Sequence, residues 1–240
     1  MKILIDIGNT RLKWGCEHAQ TLQTYPALAY KETAWQTQLQ ARWQSLPPPE
    51  KLAISSVAAP DIVSGIIELA QQLWSNIEVS IAQATAKNFG VTSGYQQPEK
   101  LGVDRWLCLL ATWQQYQQAA WIVDCGSAIT LDFINAHGIH AGGVIAPGLT
   151  LMKKSLTTNT AKLNFSSQTY PAQLATFTDA AIFTGTLYAA VGLIEQTLKQ
   201  QPAPAMLLLT GGDALLIAAH LSQPVIIDPD LVLKGLSLVA

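Results

Sequence analysis

The chain carries little charge. Of its 240 residues only 12% are Asp, Glu, Lys or Arg, and the formal net charge is −2. No basic face is therefore expected to hold nucleic acid, whose binding rests on neutralised phosphates. Long apolar runs are scarce too. Although 49% of residues are apolar, polar residues interrupt them, and no run approaches the ~20 residues of a membrane span, so no membrane partner is expected. Met1-Lys2 leads directly into a strand carrying Asp6, without the charged, apolar, small-residue order of a signal peptide, which implies a cytoplasmic protein. The cysteines Cys16, Cys108 and Cys125 are odd in number and far apart. They suit neither a disulfide framework nor a paired-cysteine zinc site, and read as buried thiols. His137 and His140 flank Gly138 in what reads as a turn between strands, with no second ligand pair nearby.

What is present is a repeated motif. Ile3-Leu4-Ile5-Asp6-Ile7-Gly8-Asn9-Thr10 and Trp121-Ile122-Val123-Asp124-Cys125-Gly126-Ser127-Ala128 each end an apolar strand in Asp, a spacer and Gly. A carboxylate and exposed backbone N–H groups then meet at one turn. Phosphoryl transfer wants this pattern: N–H donors that approach phosphate oxygens, and a carboxylate that holds Mg²⁺ directly or through water. Arg11 to Gly15 suggest a second strand folding back, with Lys13 returning its ammonium toward the phosphates. Ordinary hairpin turns use the same residues, so each loop alone supports both readings. The duplication favours the first.

The elements alternate as an α/β architecture requires. A helical segment, Glu32 to Leu46, is ended by Pro47-Pro48-Pro49. A strand over Lys51 to Val57, a helix near Asp61 to Trp74 and a strand near 77–81 follow. A long helix ends at Gln114 to Gln118, which places a domain boundary near residue 118, with an N-terminal domain over 1–118 and a C-terminal one over 119–240. The second half repeats the scheme, with strands near 121–124, 129–135 and 139–146 and a helix opening after Pro147-Gly148. A longer helix covers about Asp179 to Gln200, closed by Pro202 and Pro204. A strand at Met206 to Leu209 runs into a third glycine turn, Thr210-Gly211-Gly212-Asp213, of the kind against which nucleosides sit.

Leu101-Gly102-Val103-Asp104-Arg105 precedes the helix Trp106 to Tyr116, where N–H groups and the helix dipole favour an anion. Asp104 fits both a helix-stabilising first-turn carboxylate and an acceptor of a hydroxyl proton. Neighbouring helical residues do not face one another, which leaves Arg105 for an acidic or polar substrate. Tyr95 fits either the lining of the same pocket or plain packing.

Together these residues resemble the type III pantothenate kinases of the acetate-kinase, sugar-kinase, heat-shock-protein and actin superfamily. The matching segments are Asp6 to Thr10 with Lys13; Gly102 to Arg105; Asp124 to Thr130; Gly142 to Gly148; and Thr210 to Gly212. The resemblance implies two similar ribonuclease-H-like, actin-like ATPase domains with mixed sheets flanked by helices. It implies ATP-dependent phosphorylation of the terminal hydroxyl of pantothenate to 4′-phosphopantothenate, the first step of coenzyme A biosynthesis. By the same resemblance Asp6, Gly8, Asn9, Thr10 and Lys13 hold ATP, with Asp6 near Mg²⁺, and Ser127 touches the nucleotide. Asp104 is the general base; Tyr95, Gly102, Val103, Asp104 and Arg105 form the pantothenate pocket. Asp124 takes a monovalent cation, K⁺ or NH₄⁺. The family's homodimer brings a threonine toward the substrate, here Thr178. Two departures stand out: Ser127 where the family usually has Thr, and Phe177 where it often has Asn. The alternatives are a kinase of another small hydroxyl substrate, since phosphate loops do not read the acceptor, and a nucleotide-binding regulatory protein of the same fold. The joint presence of Asp6, Lys13, Asp104, Arg105 and Asp124 favours catalysis.

Overall fold

The computed structural model describes residues 1–31, 34–158, 166–200 and 204–240. Glu32 and Pro202, the expected limits of two elements, lie outside them. The chain forms two compact units, Met1–Gln117 with Asp230–Ala240, and Gln118–Pro229.

The first unit begins with β1 (Lys2–Ile7), β2 (Leu12–His18) and β3 (Thr21–Leu28), followed by α1 (Trp35–Trp43), β4 (Lys51–Ser56), α2 (Pro60–Leu73) and β5 (Glu78–Ile81). Proline opens α2, where its missing N–H has no helical partner to lose. A small ribbon, β6 (Lys87–Asn88) with β7 (Val91–Thr92), and a 3₁₀ turn at Pro98–Lys100 lead to α3 (Val103–Tyr116). The sheet order is β3-β2-β1-β4-β5. β1 runs antiparallel to β2 and parallel to β4, so the sheet is mixed. Strand periodicity sorts its faces. Ile3, Ile5, Ile7, Leu52 and Ile54 enter one core with Leu39 and Trp43 of α1 and Ile66 of α2, which sends Asp6 to the opposite face. Trp14 anchors that core, stacked on Tyr25 at 4.2 Å between ring centroids.

The second unit repeats the plan with β8 (Ala120–Cys125), β9 (Ala128–Ile134), β10 (His140–Pro147), α4 (Leu149–Thr158), α5 (Thr178–Leu198), β11 (Met206–Thr210), α6 (Ala214–Ala218) and β12 (Ile226–Ile227). Its sheet order, β10-β9-β8-β11-β12, is the same sequence of third, second, first, fourth and fifth strands. Trp121, Val123, Leu131, Phe133, Leu207 and Leu209 pack with Phe183, Leu187 and Ile194 of α5. The 21-residue α5 contains an 18-residue window of mean hydropathy 1.2 and passes for a membrane span by length and composition alone, as core helices also do. Asp179, Glu195 and several threonines interrupt it, so its apolar stretch is shorter than the helix, and its buried face serves the core.

The last helix, α7 (Leu231–Val239), packs on α3, β1 and β4 of the first unit. Gly235 permits the close crossing: a Cβ there would lie 2.1 Å from the Leu107 carbonyl oxygen. The three cysteines are buried. His137 and Gly138 form the β9–β10 turn, whereas His140 is buried against Asp132 at 2.8 Å.

Candidate active site

In the first unit, the end of β1 places Asp6 in register with Lys13 of β2 and Ser55 of β4. The carboxylate is only 9% exposed, and its Oδ1 accepts a hydrogen bond from Ser55 Oγ at 3.0 Å. The chain then turns through Gly8, whose N–H donates to the Arg11 carbonyl at 3.1 Å and whose carbonyl accepts from Tyr30 Oη at 2.7 Å. Asn9 and Thr10 stand exposed at the tip. The result is a loop pinned at its base and open at its crown, with a buried carboxylate beneath.

At the N-terminus of α3, Asp104 Oδ1 accepts the Arg105 backbone N–H at 2.8 Å. Gly102 is needed for this: a Cβ would lie 2.6 Å from that same oxygen. Arg105 is 6% exposed. A buried guanidinium requires partners, and its Nη1 donates to Tyr95 Oη at 2.7 Å while the group lies 5.6 Å from the Tyr95 ring centre. Tyr95, Gly102, Asp104 and Arg105 thus form one cluster, with Val103 buried behind them. Asp104 is half-buried, so its carboxylate meets both the helix end and solvent.

In the second unit three glycine turns converge on the end of β8. Gly126 N–H donates to the Ala128 carbonyl at 3.0 Å, Gly148 N–H to the Ser127 carbonyl at 2.9 Å, and Asp213 N–H to the Cys125 carbonyl at 3.0 Å. A Cβ on Gly148 would lie 2.1 Å from the Gly126 carbonyl oxygen. Gly211, at φ +93°, has room for none either: its Cβ would lie 2.4 Å from Asp124 Oδ1. Ser127 is exposed at the tip of its turn. Thr210 lies in register with Asp124; its hydroxyl is buried and has no hydrogen-bond partner among the described residues. Burial, reinforced by the Asp124 and Asp213 carboxylates, pushes the Cys125 thiol well up, so it is no thiolate nucleophile. Burial lowers Lys153, which Asp213 partly offsets, and its ammonium sits 4.9 Å from the Phe183 ring centre. Thr178 is exposed as the first residue of α5, after the exposed Phe177.

Sequence reasoning missed Ser55, Tyr30 and Lys153. Ser55 left a signal, a hydroxyl that follows the apolar run Leu52-Ala53-Ile54. Tyr30 and Lys153 left none, because only the folded chain brings them to the Gly8 carbonyl and to Asp213. Among the described residues no three His, Cys, Asp or Glu side chains gather as a metal cage. Gly126 and Gly211 pack closely on Asp124 Oδ1, and Thr210 stands in register with Asp124, so oxygen-bearing side chains gather at this strand end.

A model of the type III pantothenate kinase family matches residues 2–200. The type III pantothenate kinase of Nitrosococcus oceani is 35% identical over 100% of this chain and 94% of its own length. That of Dechloromonas aromatica is 37% identical over 98% of this chain and 97% of its own. Among solved structures, a Campylobacter jejuni protein described as a Baf family transcriptional activator aligns over 99% of this chain and 96% of its own, with TM-score 0.61 and 22% identity. The activator of the 2-hydroxyisocaproyl-CoA dehydratase from Clostridium difficile, solved with bound ADPNP, aligns over 100% of this chain and 93% of its own, with TM-score 0.56 and 11% identity. At these identities the two structures speak for the fold, an α/β architecture of two ribonuclease-H-like halves.

Proposed function

Because the chain belongs to the type III pantothenate kinase family, it is an ATP-dependent pantothenate kinase of coenzyme A biosynthesis, and we propose the following division of labour among its residues. The observation that carries it is the cluster at the start of α3, where a half-buried carboxylate stands beside a buried, fixed guanidinium. Pantothenate is a carboxylate with a hydroxyl at its far end. Arg105, held by Tyr95, binds the polar substrate; Asp104 takes the proton of the terminal hydroxyl as that oxygen attacks the γ-phosphorus of ATP. Gly102 and Val103 complete the pocket wall.

Asp6 with Gly8, Asn9, Thr10 and Lys13 holds the ATP phosphates, the loop through backbone N–H groups and Lys13 through its charge. Mg²⁺, held with Asp6 directly or through water, would neutralise charge on the transferred phosphoryl group. Ser127 touches the nucleotide, and Asp124 takes K⁺ or NH₄⁺. The domain boundary expected near residue 118 falls between the two units, but the C-terminal domain ends at Pro229, because α7 packs on the first unit; we read the protein as a cytoplasmic homodimer in which Thr178 reaches the partner's substrate.

The test is ADP release from ATP and Mg²⁺, with and without pantothenate, in K⁺ and then Na⁺ buffer. Pantothenate-dependent release that is faster in K⁺ supports substrate and cation together. Release indifferent to pantothenate in both buffers sinks the acceptor assignment.

A further inference from the structure

The Asp6 carboxylate is treated unlike an ordinary loop carboxylate. It sits at the last turn of a central strand with only 9% exposure, and Ser55, itself 0% exposed, donates to its Oδ1 at 3.0 Å from the neighbouring parallel strand. The two residues are cross-strand partners in register, so strand geometry brings their side chains together on one face. That face is opposite the one on which Ile3, Ile5, Ile7, Leu52 and Ile54 build the core. A buried hydroxyl is costly unless it hydrogen-bonds, and that of Ser55 bonds to the group expected to work with the metal. The strand end is also fixed by backbone, since Val57 N–H donates to the Ile7 carbonyl at 3.1 Å. The second unit places another hydroxyl residue, Thr210, at the matching cross-strand position beside Asp124.

We propose that Ser55 is a positioning residue for phosphoryl transfer: its hydroxyl fixes the rotation of the Asp6 carboxylate and so sets how that group meets Mg²⁺ and the phosphates above the Gly8 loop. This rests on the kinase reading. Ser55 touches neither substrate nor the reacting atoms; it acts through Asp6, as outer partners of ligating carboxylates do. A carboxylate that lost this anchor would bind the metal–nucleotide complex less well, while the pantothenate cluster at Tyr95, Asp104 and Arg105 would keep its own hydrogen bonds.

The experiment compares wild type, Ser55→Ala and Ser55→Thr in the full chain. Mn²⁺ is titrated by electron paramagnetic resonance in the presence of a non-hydrolysable ATP analogue, alongside steady-state kinetics at varied Mg²⁺ and pantothenate. For Ser55→Ala the Mn²⁺ dissociation constant and the half-saturating Mg²⁺ are expected to rise about tenfold, with the KM for pantothenate unchanged. Ser55→Thr, which keeps the hydroxyl, restores both. A Ser55→Ala protein that melts at lower temperature yet binds Mn²⁺ like wild type overturns the proposal, because it leaves Ser55 a packing role only. Should that variant fail to fold, Ser55→Cys retains a similar volume with a weaker donor, and Mn²⁺ binding equal to wild type in it overturns the proposal equally. Wild-type protein that binds Mn²⁺ and nucleotide but gives no pantothenate-dependent turnover removes the acceptor assignment, while the Mn²⁺ comparison still decides the role of Ser55.

Discussion

The two units share a strand order and a carboxylate at the end of the first strand, yet they treat that carboxylate differently. In the first unit the sheet holds it: Ser55 donates to Asp6, and the loop above is pinned through Tyr30. In the second unit Asp124 lies against glycines, and Thr210, in register with it, has a buried hydroxyl without a hydrogen-bond partner among the described residues. One plan therefore supplies two kinds of site. The first is a preset carboxylate under an open loop, suited to phosphates and their metal. The second is a tight glycine cradle whose polar lining suits a ligand bound by several oxygens.

Substitutions at the glycines should separate the two most sharply. Gly148→Ala forces a Cβ onto the Gly126 carbonyl at 2.1 Å, and Gly211→Ala adds the strain of a positive φ to a clash with Asp124. Each is expected to cost at least about 1–3 kcal/mol of stability and to abolish turnover. Gly8→Ala should behave otherwise, because a Cβ there meets the Arg11 carbonyl oxygen only at 3.4 Å. Its melting temperature should stay near that of wild type while the KM for ATP rises, since the methyl stands where phosphate approaches. Equal thermal damage at Gly8 and Gly148 would break the comparison.

A smaller contrast lies in the hydroxyls. Thr210→Val removes a buried hydroxyl that has no partner among the described residues and should stabilise the protein without added K⁺ by about 1 kcal/mol, while raising the K⁺ needed for half-maximal turnover. Ser55→Ala should shift stability the other way, because Asp6 loses a donor. Thermal melts in Na⁺ and K⁺ buffers read both.

Much of this was legible in the chain. Asp-x-Gly after an apolar run marked β1 and β8, and the alternation around Lys13 marked β2, because each signal is local. β3 escaped notice because Thr21–Leu28 is a largely exposed strand that lacks strict alternation and carries Pro26. β12 is two residues long, too short to leave a period. The return of α7 to the first unit was invisible as well: an apolar helix announces that it will be buried, not against which core. Within the site, Asp104 and Arg105 were found from their place at a helix start. Ser55, Tyr30 and Lys153 act through contacts between distant segments, which spacing along the chain does not encode.

The smallest effect concerns Lys153. Its folded-state pKa is lowered by burial, with Asp213 opposing. Below its ordinary value near pH 10.4 the unfolded chain therefore binds more protons than the folded one, and stability rises with pH through that window. Lys153→Met should flatten this part of the melting-temperature profile, and an unchanged slope would assign it to another group.

The most direct test of the whole account is to follow the product by ³¹P NMR, with ATP, Mg²⁺, K⁺ and pantothenate, in wild type and in Asp104→Asn. The account predicts a new phosphomonoester signal in wild type and a loss of about 10²–10⁴ in its rate in the mutant, with the fold and nucleotide binding retained. Phosphopantothenate formed at the wild-type rate by Asp104→Asn would contradict it.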